Sequence, residues 1–281
     1  MGLLLSGAWL AGIFFLAFLT TLPLATLLWF TVGTNPIIMA ALIPLALFLG
    51  CVLLFAFLWA FFSLLPQAPN GAYDTGASRS YVLWAIENGL AIPVLRLFQP
   101  LVFVNESLRY LVLRALHADV AYSAMITSRT VITNPRKIHV GEGSIVGEGA
   151  HMSPAHQPRI GKLVVGDIRV GKNVLVGGYT KVMAGTEIAD NVIIQADCFL
   201  HPFCKIGGEV RLGRSTIVNE GAVVGARSRI GRGCEIAPYA VVPEGTILKD
   251  GEFFSAGPGG LRKRFATAPA EIVQPGAEHR V

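Results

Sequence analysis

Residues 168–188 read IRVGKNVLVGGYTKVMAGTEI, and one step runs through them: Val170, Val176, Val182 and Ile188 stand six apart. Started at Val140, the same step meets Val146, Met152, Pro158 and Val164 before this stretch. After it come Ile194, Leu200, Ile206, Leu212, Val218, Val224, Ile230, Ile236, Val242 and Leu248. All of these except Pro158 are aliphatic or Met. The next residue is often Gly, as at Gly141, Gly147, Gly171, Gly177, Gly207, Gly213, Gly225 and Gly231. Two residues before the step the side chain is usually small or β-branched, as in Ala150, Val174, Thr180, Cys198, Cys204, Thr216, Ala222, Ser228, Cys234 and Ala240. Neither the 3.6-residue period of a helix nor the 2.0-residue period of a strand produces this pattern. A large aliphatic, a small inward residue and a Gly-bearing corner at every sixth position describe one side of a triangular coil. Three sides make a turn, and each turn buries its aliphatics by stacking on the next, so the span predicts about six turns.

The pattern resembles the hexapeptide-repeat left-handed parallel β-helix, an exception to right-handed crossovers, and the domain is expected over residues 118–250. Cys198, Cys204 and Cys234 occupy small inward positions, which assigns them to the core. With Cys51 in an apolar region, the cysteine spacing indicates neither a disulfide framework nor a zinc site.

The step fails at one place. Pro158 stands on it, and His156 and Lys162 stand where small inward residues belong. A lysine inside the prism would be very costly, so residues 153–167 are expected to leave the coil as a loop, returning at Ile168 or Val170. Loops on rigid scaffolds concentrate binding and catalysis.

Met152-Ser-Pro-Ala-His156-Gln-Pro158, followed by residues 168–178, is similar to the catalytic stretch of hexapeptide acetyltransferases of the galactoside, maltose and nodulation type. Residues 254–264 (Phe254 to Arg264) resemble the trailing element of those enzymes. A lead-in at Leu108 to Val120 is similar to the β-helix domains of poly-lysine-type peptide synthetases. Leu175 stands where the family has Trp, Pro258-Gly259 where it has Asn-Pro-Ala, and His117 where the lead-in has Gly. The resemblance covers roughly residues 118–264. It implies transfer of an acetyl group from acetyl-CoA, with no metal, in a homotrimer whose sites lie between neighbours. His156 would be the general base, a role suited to a near-neutral imidazole, with His151 as its alternative. A backbone N–H near Gly178 would stabilise the oxyanion. The coenzyme would pass Gly178, Ala196 and His201, with Arg262, Lys263 and Arg264 at its phosphates. Tyr179 and Lys181 are candidates for contacts with acceptor or coenzyme, and His117 and His139 are expected to be solvated. A γ-carbonic-anhydrase-like metal lyase, using His151 and His156 five apart, and a non-catalytic trimeric membrane scaffold are the alternative readings.

Outside the coil the composition changes. All 23 Lys and Arg and all 18 Asp and Glu lie after Tyr73. Leu3 to Val32 and Pro36 to Leu65 are apolar runs longer than the roughly 20 residues that cross a bilayer. Joined by Thr31 to Asn35, they predict a two-helix hairpin within residues 1–66. Arg79, Arg96, Arg109 and Arg114 follow it, which places the remainder in the cytoplasm, at a bacterial-type inner membrane. In residues 67–117, Tyr81 to Phe98 and Leu101 to Leu116 read as amphipathic helices broken by Pro93 and Pro100 and suited either to the headgroup layer or to packing on the next domain. Residues 251–281 form a tail. The net charge of +5, without a long basic run, argues against nucleic acid as a partner. Lipid, acyl-CoA and a partner synthase or exporter remain as candidates.

Overall fold

The computed structural model describes residues 18, 21–30, 36–76, 78–102, 106–255 and 261–263. From Asp119 to Phe254 the chain winds as a parallel β-coil with three walls. The first wall carries Val120, Val140, Val170, Ile188, Ile206, Val224 and Val242; the second carries Ile126, Val146, Val176, Ile194, Leu212, Ile230 and Leu248. The third carries Ile132, Met152, Val182, Leu200, Val218, Ile236 and Phe254, and the antiparallel strand Leu261–Lys263 closes its far end. These side chains are all at most 8% exposed and form one continuous core. The small inward residues, including all three coil cysteines, are buried beside them.

The coil begins one turn earlier than the six-residue step from Val140 indicates. A one-turn 3₁₀ helix at Pro135–Lys137 inserts extra residues between Ile132 and Val140, entered through Asn134 at φ 51°. That insertion hides Val120, Ile126 and Ile132 from the count. Glycine at the position after the step answers to stacking rather than to backbone conformation. A Cβ on Gly207 would lie 2.5 Å from the backbone nitrogen of Ala226 in the next turn. The left-handed residues fall two positions later in each repeat, as at Glu209 and Ser215.

The break in the step is a β-hairpin. Strands Ala155–Arg159 and Lys162–Val165 leave the corner after the third wall and pair antiparallel, with an irregularity between His156 and Arg159. Val164, which keeps the six-residue step, sits in this hairpin and not in the coil. A brace strand, Gly71–Asp74, pairs antiparallel with Lys162–Val165, and the Thr75 amide donates to the Gly161 carbonyl at the hairpin tip (2.9 Å). Lys162 escapes burial by pairing with Asp74 of the brace.

Of the first apolar run only Phe18 and helix α1, Thr21–Phe30, are described, and the joining segment 31–35 lies outside the described residues. Helix α2, Pro36–Leu64, is apolar throughout and about 44 Å long, more than a bilayer's hydrocarbon thickness. Helix α3, Arg79–Val102, runs unbroken through Pro93 and Pro100, against the expectation of a break. Its Ala91, Val94 and Phe98 are buried with Leu54, Leu58 and Phe62 of α2, and packing of that extent exceeds the roughly 3 kcal/mol that an internal proline costs. Both α2 (from Leu42) and α3 are long and apolar enough to cross a membrane. Glu87 of α3, however, is 1% exposed and pairs with Arg136 of the coil at 2.9 Å, which docks α3 on protein. Helix α4, Glu106–Ala115, turns Arg109 into the coil rather than towards headgroups: Nη1 donates to the Ser128 carbonyl (2.7 Å) and Nη2 to that of Thr130 (2.8 Å).

Candidate active site

Strand residues alternate in and out of a wall, so every eighteenth residue forms an outward column. On the third wall the register places His151 beside Lys181, Lys181 beside Phe199, Phe199 beside Ile217 and Ile217 beside Glu235. One outward position on, towards the corner where the hairpin leaves, stand Ser153, Met183, His201 and Asn219. The His201 ring stacks on Phe199, with centroids 4.0 Å apart and planes at 26°. The Lys181 ammonium lies 5.5 Å from the Phe199 ring centre, within cation–π range. Asn219 Nδ2 donates to Glu235 Oε1 at 3.2 Å.

His156 stands on the first hairpin strand, opposite Val164, close enough to act electrostatically on His201. Burial holds the His201 imidazole below its ordinary value, and the charge of His156 adds to this; Glu220 and Glu235 oppose it. Burial, and then Lys181, hold His151 below its ordinary value as well. Both shifts favour the neutral ring, the form that accepts a proton. The corner brings together His156 and His201, with Phe199 beneath and Glu235 beyond.

The remaining candidates are spread over the wall. Gly178 and Ala196 lie at the opposite edge, where the chain enters the third wall, and are stacked through the Asp197 amide and the Gly178 carbonyl (2.9 Å). Tyr179 is 63% exposed at φ 57°, its ring lying over Gly149. The backbones of Arg262 and Lys263 pair with Phe253 and Glu252 at the far end of the same wall; Arg264 is outside the described residues. His117 and His139, expected in solvent, are both engaged. His117 Nε2 lies 3.0 Å from the Trp59 carbonyl of α2, and His139 Nδ1 lies 3.2 Å from Asp119 Oδ2. Phe199, Asn219 and Glu235 were not foreseen, although the eighteen-residue spacing from Lys181 marks two of them. Among the described residues no three His, Cys, Asp or Glu are grouped as a metal site would need.

No family model matches the sequence. Over 71 residues the chain is 34% identical to "Putative acetyltransferase YvoF" of Bacillus subtilis (strain 168); the match covers 24% of this chain and 38% of that protein. The chain thus spans well under half the length of this curated relative. Among solved structures, the hexapeptide-repeat-containing acetyltransferase VCA0836 of Vibrio cholerae is 14% identical, covering 68% of this chain and 93% of that one at a TM-score of 0.38. A mutant of AntD, an N-acyltransferase of Bacillus cereus in complex with dTDP and coenzyme A, is 16% identical, covering 57% and 88% at a TM-score of 0.39.

Proposed function

We propose that this hexapeptide-repeat coil is the catalytic body of a membrane-anchored acyltransferase that moves an acetyl group from acetyl-CoA to a hydroxyl or amine. The observation that carries the reading is the hairpin thrown from an otherwise regular coil, with His156 on it within electrostatic reach of His201. The acceptor's lone pair attacks the thioester carbonyl carbon. A C–O or C–N bond forms, the acceptor proton passes to His156, and negative charge collects on the carbonyl oxygen. Collapse breaks the C–S bond, and the proton on His156 leaves with the sulfur as the coenzyme thiol. A positioned imidazole contributes typically 10²–10⁴-fold to such a step.

The oxyanion donor near Gly178 stands at the other edge of the wall from His156. The pair is completed when unlike edges of two protomers meet, which supports a homotrimer with its sites between neighbours. The basic strand containing Arg262 and Lys263 ends the same wall, where coenzyme phosphates would be received. Helix α2 would serve as the anchor, and the arginines that follow it favour the cytoplasmic face for the coil.

His156→Ala in the full chain tests the reading. Transfer of label from [¹⁴C]acetyl-CoA into a membrane extract should fall at least 10²-fold, with the sedimenting species still a trimer. Undiminished labelling removes His156 from the mechanism, and a monomer of undiminished activity removes the shared site.

A further inference from the structure

The outward residues of the first and second walls treat charge differently. On the first wall opposite signs stand in register and pair. Asp119 Oδ2 lies 3.2 Å from His139 Nδ1, and Glu187 Oε2 lies 3.3 Å from Lys205 Nζ. On the second wall the outward column runs from Leu175 through Ile193, Arg211 and Arg229 to Ile247. Arg211 and Arg229 are register partners, so two exposed arginines leave adjacent strands about 4.8 Å apart. Like charges directly opposite destabilise a sheet, and among the described residues neither arginine has an ion-pair partner. Their neighbours at the two flanking corners do: Arg214 pairs with Asp197 and Arg227 with Glu244.

The two arginines line an open groove of about 410 Å³, together with Ile193, Gln195, Arg232 and Ile247. Asp250 also borders it, but its Oδ1 accepts from the Arg232 amide at 2.8 Å. Three guanidinium groups against one carboxylate leave the groove cationic. An excess kept against repulsion between neighbouring strands fits a phosphoryl group, whose oxygens match the guanidinium fork.

The groove also lies within reach of the reaction. Gly178 stands at the corner between the second and third walls, three residues after Leu175. From the strand of Leu175, those of Arg211 and Arg229 are two and three strand spacings away, roughly 10 and 14 Å. Leu175, 40% exposed, and Ile193 give the path between them an apolar side. The strand of Arg262 and Lys263 lies on the third wall, around the corner from this groove.

We propose that the acyl acceptor carries a phosphoryl group, held on the second wall by Arg211, Arg229 and Arg232, while its hydroxyl or amine lies at the Gly178 corner. This substrate class rests on the acyltransferase reading above. The acceptor's lone pair forms the new C–O or C–N bond, its proton goes to His156, and the C–S bond breaks to release the coenzyme thiol. Phosphoryl oxygens belong to the coenzyme as well, and the probes separate the two sources.

Titration calorimetry of the full chain in detergent with inorganic pyrophosphate tests the site. Pyrophosphate should bind saturably at low ionic strength. Arg211→Gln should weaken it about tenfold, and Arg211→Gln combined with Arg229→Gln at least about a hundredfold. Arg227→Gln, at a guanidinium already paired, should change it less than about twofold. Without ligand, Arg229→Gln should raise the melting temperature by about 1–3 °C, because a repulsion is removed; a fall of that size overturns the repulsion on which the site rests. Absence of saturable binding, equal losses in Arg211→Gln and Arg227→Gln, or binding that survives the double variant overturns the site. Acetyl-CoA should bind the double variant within about twofold of its affinity for the parent chain, and a loss parallel to that of pyrophosphate gives the arginines to the coenzyme and overturns the assignment to the acceptor. Binding is read without turnover, so the two readings fail separately. A chain that binds pyrophosphate but transfers no label from acetyl-CoA refutes the acyltransferase, and one that transfers label without binding pyrophosphate refutes the phosphoryl site.

Discussion

Replacing Arg136 by Met should release α3 from the coil in a manner that depends on pH. Arg136 Nη1 lies 2.9 Å from Glu87 Oε1 and donates to the Leu65 carbonyl at 3.1 Å, and its guanidinium sits 5.7 Å from the Phe62 ring. Glu87 also accepts from the Ala68 amide (3.1 Å) and Asn134 Nδ2 (3.2 Å). Met keeps the volume and removes the cation, leaving a carboxylate 1% exposed with two neutral donors. A buried charge stripped of its partner costs about 3–5 kcal/mol. The carboxyl can instead take a proton, which from an ordinary value of 4.5 costs about 3.4 kcal/mol at pH 7 and about 0.7 kcal/mol at pH 5. The folded-state pKa of the lone group lies above its unfolded value, so its stability is present at low pH and lost as pH rises. Amide exchange along α3 in the full chain reads this directly. Protection should drop by roughly a hundredfold at pH 7 and by only a few-fold at pH 5, and Glu87→Gln in the same background should restore most of it. A loss below about tenfold at pH 7, or an equal loss at both pH values, would show that the ion pair does not hold the helix to the coil.

An NMR titration of the His201 imidazole should have its midpoint below 6.5, because burial and His156 both disfavour the protonated ring; a midpoint at or above 6.5 contradicts that geometry. Native-state stability should likewise fall as pH drops below about 6.5, since unfolded His151 and His201 take protons more readily than the folded rings; thermal melting across that range checks it. Gly207→Ala drives a Cβ to 2.5 Å from backbone that cannot move alone, and should cost about 1–3 kcal/mol by thermal melting; a change under about 0.5 kcal/mol refutes the stacking argument. Burial pushes the Cys198 thiol up to about 11 and that of Cys204 up to about 12, so neither should react with maleimide at pH 8 until the coil unfolds. Rapid native labelling at either site would show the core to be open.

The coil was legible because stacking repeats one local demand every six residues, and Val170 to Leu248 obey it without exception. Its first turn was not, because the short helix at Pro135–Lys137 shifts the count. The hairpin's place could be read from Pro158 and Lys162, two side chains the prism cannot hold, yet Val164 fell on the step by coincidence. Its pairing with Gly71–Asp74 joins segments some ninety residues apart, and nothing in either segment's local pattern announces the other. Phe199 and Glu235 were missed for a different reason: outward positions face solvent, so no packing rule constrains their identity. The prolines of α3 misled because tertiary burial outweighed a local penalty.

The brace strand makes the helical end of the chain and the hairpin thrown from the coil mechanically one piece. Trimming the protein back to its coil, the ordinary route to a water-soluble fragment, would strip Gly71–Asp74 from the hairpin and bare the amides and carbonyls of Lys162–Val165. An open edge of that kind recruits further strands. Such a fragment would clump from its own hairpin, and inactivity measured on it would report a torn edge rather than a missing substrate.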